Sequence, residues 1–477
     1  MPLGSAAGCR SRPAALGRSS FRALACPPRA AKFSRFSRRI RIVPNTEDRY
    51  CIIGAGPSGL AAAHEFQRAG IAFDVFERHH DVGGIWDMQN PGTPMYDSAH
   101  FISSRTQSAF DDFPMPADYP DYPSRTRILE YLRAYADKDG IRSHITFDAA
   151  VERATPADGS WDVELASGEH RRYRGVVCAV GNNWNPVDAS YPGRFDGEMY
   201  HSSRYKHAAS LAGTRVLVVG GGNSGCDIAC DAATVARETL ISFRRGYHFL
   251  PKHLFGVPTD AFFRSGPHLP AWLAQPLLTL LLRVLVGDLR RYKLPKPDHK
   301  VLETHPIVNS QLLHYLAHGD VRAVPDVREL NGKRVTFVDG TSAEVDVIIF
   351  ATGFRSAIPC LGADVFSPER GGAQLYLNVF ADRPGLYVIG LFETDGSLFP
   401  VVSKQAALVA SVILAQRNGS DRATWFERQR TGPRPDLSGG IKYLASQRHA
   451  FYVQYDEYVH RLEKMLKRMA PPARGAA

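Results

Sequence analysis

Apolar positions fall into short runs along this chain, and their spacing changes from run to run. Tyr50–Ile53 is continuously apolar, as in a strand covered on both faces. It passes through GAGPSGL, residues 54–60, into the helix-like AAAHEF, and IAFDVFE returns to strand character and ends at Glu77. Residues 48–77 thus read as strand, turn, helix and strand, the opening of a doubly wound sheet. The order recurs in VLVVGGGNSGCDIA, residues 216–229, where Val216–Val219 leads to three glycines and a second helix-like stretch, and TLISFRRG follows as a strand. Ser124–Asp139 has helical apolar spacing, and so does 441–468. Trp161–Leu165, Tyr173–Val180, Arg334–Phe337 and Val345–Phe350 alternate or run apolar like strands, and FATGF (350–354) closes the last in a glycine turn.

The predicted class is α/β with two dinucleotide-binding, Rossmann-like domains, the first split by insertion of the second. A leader covers 1–46, the first domain 47–205 and 331–477, and the inserted domain 206–330. The two turns share one chemistry. Gly54, Gly56 and Gly59 in the first have the spacing of Gly220, Gly222 and Gly225 in the second. The first glycine makes the tight turn, the second lets backbone amides approach a pyrophosphate, and the third lets the helix pack on its strand. Pro57 and Ser58, and Asn223 and Ser224, lie inside the turns.

The residue ending each following strand separates the sites. Glu77, 18 residues past Gly59, offers a carboxylate to ribose hydroxyls, which suits the unphosphorylated adenosine of FAD or NAD. Arg244 and Arg245 stand at the equivalent place in the second unit and suit a ribose 2′-phosphate. FAD in the first site and NADPH in the second follow, with a solvated strand end as the alternative for the arginine pair. Asp81–Trp86 (DVGGIW) is a further glycine-rich loop placed to lie against a flavin.

Net charge of +10 invites a nucleic-acid reading, but residues 1–46 hold nine Arg and one Lys with no acid. Of the 58 basic residues 48 therefore remain, matching the 48 acids, so the body has no electrostatic reason to bind nucleic acid. The leader fits a mitochondrial transit peptide, translation from upstream of the true start, or a disordered tail. The expected location is the cytoplasm, with mitochondrial import as the alternative. Seven scattered cysteines without a Cys-x-x-Cys argue against a disulfide framework and against a disulfide reductase. Cys226 and Cys230 share a helix face and read as packing residues. No metal site is expected. Leu277–Val286 is too short to span a bilayer, so a buried or surface-lying helix is expected and membrane contact is peripheral at most.

FDGEMYHSSRY, Phe195–Tyr205, fits F-x-G-x-x-x-H-x-x-x-[FY], and with it the chain resembles the flavin-containing monooxygenases. GAGPSGL, GGIW (83–86), GGGNSG, LPKPDHKVLETHPIVNS (294–310), FATGF and YDEYVHRL (455–462) extend the likeness over about 48–465. Baeyer–Villiger monooxygenases are relatives whose motif usually ends in Trp, where this chain has Tyr205. The resemblance implies that NADPH reduces the flavin, that O2 then forms a C4a-hydroperoxide, and that bound NADP+ shields it while a nucleophilic nitrogen or sulfur takes one oxygen. It implies FAD contacts at Gly54, Gly56, Gly59, Glu77, Gly84, Ile85, Trp86 and Gln405, and NADPH contacts at Gly220, Gly222, Ser224, Gly225 and Arg244. It gives His201 a structural or bracing role. No catalytic dyad is expected.

One departure stands out. Many members of that family carry an Asn where this chain has Ile102, and an isoleucine has no donor. His100, Ser103, Ser104 or Arg105 would then substitute, or the adduct would be shorter-lived. Three activities stay open: N- or S-oxygenation of a small substrate with O2, Baeyer–Villiger oxidation of a ketone with Arg105 as the cation near the peroxide, and an NADPH oxidase or flavin reductase without organic product. The substrate pocket is expected to draw on Asn90–Pro123 and Pro251–Pro276. The substrate itself and the oligomeric state, a homodimer included, stay open.

Overall fold

Two sheets, one mixed and one parallel, carry the two glycine turns, and each turn leaves the carboxyl end of a central strand with parallel neighbours. The computed structural model describes residues 46–266, 269–367, 375–445 and 451–471. The leader up to residue 45, and 446–450 of the expected terminal helix pattern, lie outside the described residues.

In the first sheet Thr46–Ile53 lies between Phe73–Phe76 and His170–Cys178, parallel to both. Ile145–Thr146 continues one edge, and Leu386–Val388 pairs with the carboxyl half of His170–Cys178. The amino half of that strand instead pairs antiparallel with Ser160–Leu165, which pairs with Val151–Ala157. Helices cover the face carrying Ile52 and Val177, and Ile358, Cys360, Leu361, Phe366 and Phe451 cover the face carrying Cys51 and Val176, so all four have 0% exposure and the apolar runs are unbroken. Helix Pro57–Arg68 presents Leu60, Ala61, Ala62, Ala63 and Phe66 inward, and its alanines allow close approach of the long helix Phe399–Arg417. That helix is long and apolar enough to cross a membrane, with mean hydropathy 1.4, but 67% of its apolar stretch is buried in the fold. It is the core helix of the first unit, and Tyr455–Met469 packs against it through Tyr458, Leu462 and Met465.

The second sheet is parallel throughout, in the order Val321–Val324, Glu238–Ser242, Arg215–Val219, Val347–Phe350, Glu198–His201. It differs from the expected limits of 206 and 330. Glu198–His201 and Val347–Phe350 both fall outside that range, yet they pair with each other and the latter with Arg215–Val219. A doubly buried apolar strand looks the same in either sheet, and only its partners assign it. The F-x-G-x-x-x-H motif therefore contains the second sheet's edge strand, which ends at His201, and FATGF leaves that sheet's fourth strand.

The apolar segment near residue 280 is a surface helix, Ala271–Leu285. Leu278 and Leu282 pack on Leu250 and Val301, while Trp272, Leu280 and Val284 are exposed.

Candidate active site

Both turns have the same local geometry. Gly54 (φ +102°) and Gly220 (φ +116°) adopt left-handed backbone, and a Cβ on either would lie 2.8 or 2.4 Å from the carbonyl oxygen of Ala179 or Ala351. A Cβ on Gly59 would lie 1.8 Å from the Gly54 oxygen, and one on Gly225 1.9 Å from the Gly220 oxygen. Glycine is required at these four positions. The middle glycines are less constrained: a Cβ on Gly222 has nothing within 4 Å among the described residues, and one on Gly56 would only touch the Gly84 backbone at 3.6 Å. Helices Pro57–Arg68 and Asn223–Ala233 start at Gly56 and Gly222, and neither start has a side-chain cap. Their first amides are left for a phosphate.

The two helix starts open on one cleft of about 1180 Å³, lined by Gly54, Gly56, Pro57 and Ser58 on one side and by Gly220, Gly222, Asn223, Ser224 and Gly225 on the other. An ordinary ligand site spans about 300–1,000 Å³, so this cleft has room for more than one cofactor's reactive end. Glu77, 4% exposed, lines it; Oε2 accepts from the Ala55 amide at 2.6 Å and Oε1 from the His79 amide at 3.0 Å. Burial pushes its carboxyl up, and these two amides oppose the shift. Arg244, Arg245, Gly84, Ile85, Trp86 and Ile102 also line the cleft.

Asn90, from the expected segment Asn90–Pro123, and residues that pattern reading missed complete the wall. Arg78 stacks 4.0 Å over the Trp184 ring, and Tyr191 donates to Asp326 beside Arg244. Asn90 donates to the Gly84 oxygen at 3.1 Å and Asn182 to the Phe392 oxygen at 3.1 Å, which fixes both amide orientations. Their Oδ1 atoms are buried without a protein donor. A bound group carrying ring N–H or hydroxyl donors would resolve that deficit. Uncapped helix starts, the middle glycines and these acceptors together fit FAD and a nicotinamide dinucleotide. Asn182 follows the strand-like run Tyr173–Val180, but nothing local marked its amide as facing a cleft.

Five expected site residues lie outside the cleft wall: Gly59, packed against the Gly54 oxygen of its own turn, and His201, Gln405, Ser103 and Arg105. Gln405 is 0% exposed and does not line the cleft; it accepts from the Gly390 amide at 2.9 Å and donates to the Tyr458 hydroxyl at 2.6 Å. It reaches the site only through Gly390, which does line it. Ser103 accepts from Ser108 at 2.8 Å, and the Arg105 amide donates to the Asp121 oxygen at 2.8 Å. Neither belongs to the cleft wall, nor does any described residue of Pro251–Pro276. That segment meets the 96–122 loop instead, with Asp260 accepting from the Ser104 amide and hydroxyl at 2.7 and 3.0 Å.

His201 braces the FATGF turn. Its Nδ1 accepts from the Ser203 amide at 3.1 Å, which leaves Nε2–H to donate to the Gly353 oxygen at 3.1 Å. Burial lowers its pKa, so the imidazole is held neutral. Tyr205 ends the same motif buried, donating to Asp231 at 2.8 Å beside Ser98 at 2.5 Å. Tyr96 and Asn309 hold Asp227 on the same helix in the same way. The loop leading to Ile102 is thereby fastened to the helix that follows the second turn. Tyr205→Phe removes one donor from a carboxylate, and is expected to cost about 1.5–3 kcal/mol, read as a lower urea midpoint with flavin content unchanged.

Two further clusters bear on the chemistry. The Cys178 thiol adjoins Cys360, which lines the cleft, so the fold supplies a close cysteine pair that sequence spacing hid. His79, His80 and Asp87 bring ligand atoms within 4.8 Å of one another, but His79 Nε2 already bonds Asp87 at 3.1 Å and Arg133 lies 3.8 Å from that carboxylate. A cation would have to displace both contacts.

A protein-family model described as flavin-binding monooxygenase-like matches residues 47–457. The chain is 33% identical over 386 residues to the rat (Rattus norvegicus) dimethylaniline monooxygenase [N-oxide-forming] 2, covering 74% of this chain and 71% of that protein. It is 31% identical over 354 residues to the probable indole-3-pyruvate monooxygenase YUCCA9 of Arabidopsis thaliana, covering 71% and 83%. Among solved structures, NADP+-bound cyclohexanone monooxygenase from Rhodococcus sp. Phi1 superposes with a TM-score of 0.66 at 20% identity over 89% of this chain and 98% of that one, a likeness of fold.

Proposed function

The chain belongs to the flavin-binding monooxygenase-like family, whose members are FAD- and NADPH-dependent oxygenases, and from that premise we propose that it inserts one oxygen atom of O2 into a small organic molecule at a nucleophilic nitrogen or sulfur. The observation that carries the proposal is the opening of both glycine turns on a single cleft. When bound there, the flavin accepts hydride from the nicotinamide and activates oxygen. The protein's own work is binding, orientation and exclusion of water. The uncapped starts of Pro57–Arg68 and Asn223–Ala233 would hold the two pyrophosphates, Glu77 a ribose, and Arg244 with Arg245 the 2′-phosphate. Trp86, Ile102, Phe392 and Leu398 form an apolar shoulder in the cleft, with Phe101 edge-on to Trp86 at 4.7 Å.

The rat relative's name specifies N-oxide formation, which supports attack by a nucleophilic nitrogen. Baeyer–Villiger oxidation loses its candidate cation, because Arg105 stands outside the cleft wall. Side-by-side turnover of a thioether and a cyclic ketone under O2 tests the choice. Sulfoxide without lactone supports it, and lactone as the main product contradicts it.

Ile102 leaves the shoulder without a side-chain donor at the point where an amide is usual in the resembling family. A sizeable share of NADPH oxidation is therefore expected to end in H2O2. Ile102→Asn is expected to cut that share severalfold, measured as peroxide released per NADPH consumed. An unchanged ratio would remove Ile102 as the cause.

A further inference from the structure

The segment LPKPDHKVLETHP has a role that the nucleotide turns do not account for. It packs directly on the turn that carries the arginine pair. A Cβ on Gly246 would lie 2.3 Å from the Pro295 oxygen and 2.5 Å from the Pro297 nitrogen, so the two backbones touch. The contact brings Asp298 to Arg245, with Oδ2 3.8 Å from the guanidinium. Its other oxygen accepts from His299 Nδ1 at 2.8 Å. The His299 side chain is 0% exposed and its Nε2 is buried without a partner, so the ring is locked and holds the carboxylate in place. His248 in turn donates to the His299 backbone oxygen at 3.0 Å. The carboxylate is fixed from behind, while Arg245 lines the cleft in front of it.

We propose that Asp298 is a specificity-determining counter-charge, which holds Arg245 by charge and moderates the chain's preference for a 2′-phosphorylated over an unphosphorylated dinucleotide. The inference rests on the NADPH reading of the second turn. At 3.8 Å the contact is an ion pair and not a hydrogen bond, so it gives Arg245 attraction without orientation. An arriving phosphate dianion must share the guanidinium with that carboxylate and also meets its like charge. A dinucleotide without the phosphate meets neither effect. The His299 contact, and then the charge of Arg245, keep the Asp298 carboxyl below its ordinary range, so it is ionised at neutral pH. Both partners are partly exposed, which limits the effect to the scale of a surface pair.

The test is equilibrium binding of NADP+ and NAD+ to the FAD-loaded protein by titration calorimetry, at low and high salt, for wild type, Asp298→Asn, Arg245→Gln and the double variant. Asp298→Asn is expected to tighten NADP+ about two- to fivefold at low salt and less at high salt, with NAD+ unchanged. In the Arg245→Gln background the same substitution should have no more than a small effect. Weaker or unchanged NADP+ binding in Asp298→Asn, or equal changes for both dinucleotides, would overturn the proposal. If Arg245→Gln itself leaves the NADP+ preference intact, Arg245 does not read the phosphate and the proposal falls, whereas the NADPH reading of the second turn falls only if changing Arg244 and Arg245 together also leaves the preference intact, so the two failures are told apart.

Discussion

Gly59→Ala is expected to yield protein that no longer retains FAD, whereas Gly225→Ala is expected to keep its flavin and lose reduction by NADPH. The two sites are equivalent by geometry, since each added Cβ would fall 1.8 or 1.9 Å from the carbonyl oxygen of the first glycine in its own turn. No side-chain rotation relieves a clash with backbone, so helix and strand must separate. Overpacking of this kind costs about 1–3 kcal/mol or more, and it distorts the amides that hold the phosphate. The effects should divide because the first turn belongs to the sheet centred on Thr46–Ile53 and the second to the sheet centred on Arg215–Val219. The flavin-to-protein absorbance ratio and anaerobic reduction by NADPH report the two separately, with far-UV circular dichroism to confirm folding. Loss of both functions in both variants would contradict a division of labour between the turns.

The second large effect concerns the arginines. Changing Arg244 and Arg245 together to serine is expected to raise the KM for NADPH about a hundredfold, while that for NADH moves by less than about threefold. A hydrogen bond to a charged group contributes about 1.5–3 kcal/mol, and two of them, discounted for solvent exposure, give about 3 kcal/mol. Steady-state kinetics with both reductants measures the ratio. A parallel loss with NADH would mean that the pair supports the strand end and does not read the phosphate.

Features fixed by local covalent geometry were legible in the sequence. Three glycines between an apolar run and a helix can do little else, and Glu77 and the arginine pair follow at a distance set by one helix and one strand. What depended on distant segments meeting was not legible. Gln405 sits on a helix beside the cleft, but which way its amide turns was decided by the Gly390 amide and the Tyr458 hydroxyl. Ser103 and Arg105 lie in a loop without periodicity, where Ser103 bonds Ser108 and the Arg105 backbone bonds that of Asp121, and neither lines the cleft. Asn182 and Trp184 became site residues only when distant chain segments closed around one space. The limits of the second unit failed for a related reason. Val347–Phe350 has no sequence feature that distinguishes one sheet from the other, and its hydrogen bonds to Arg215–Val219 settle the matter.

Anaerobic mixing of the FAD-loaded protein with NADPH, followed by flavin absorbance, tests the shared cleft most directly. The account predicts rapid bleaching of the oxidised flavin band by NADPH, and much slower bleaching by NADH at the same concentration. A protein that holds FAD firmly yet stays oxidised under excess NADPH would contradict it, because the two turns would then not serve one electron transfer.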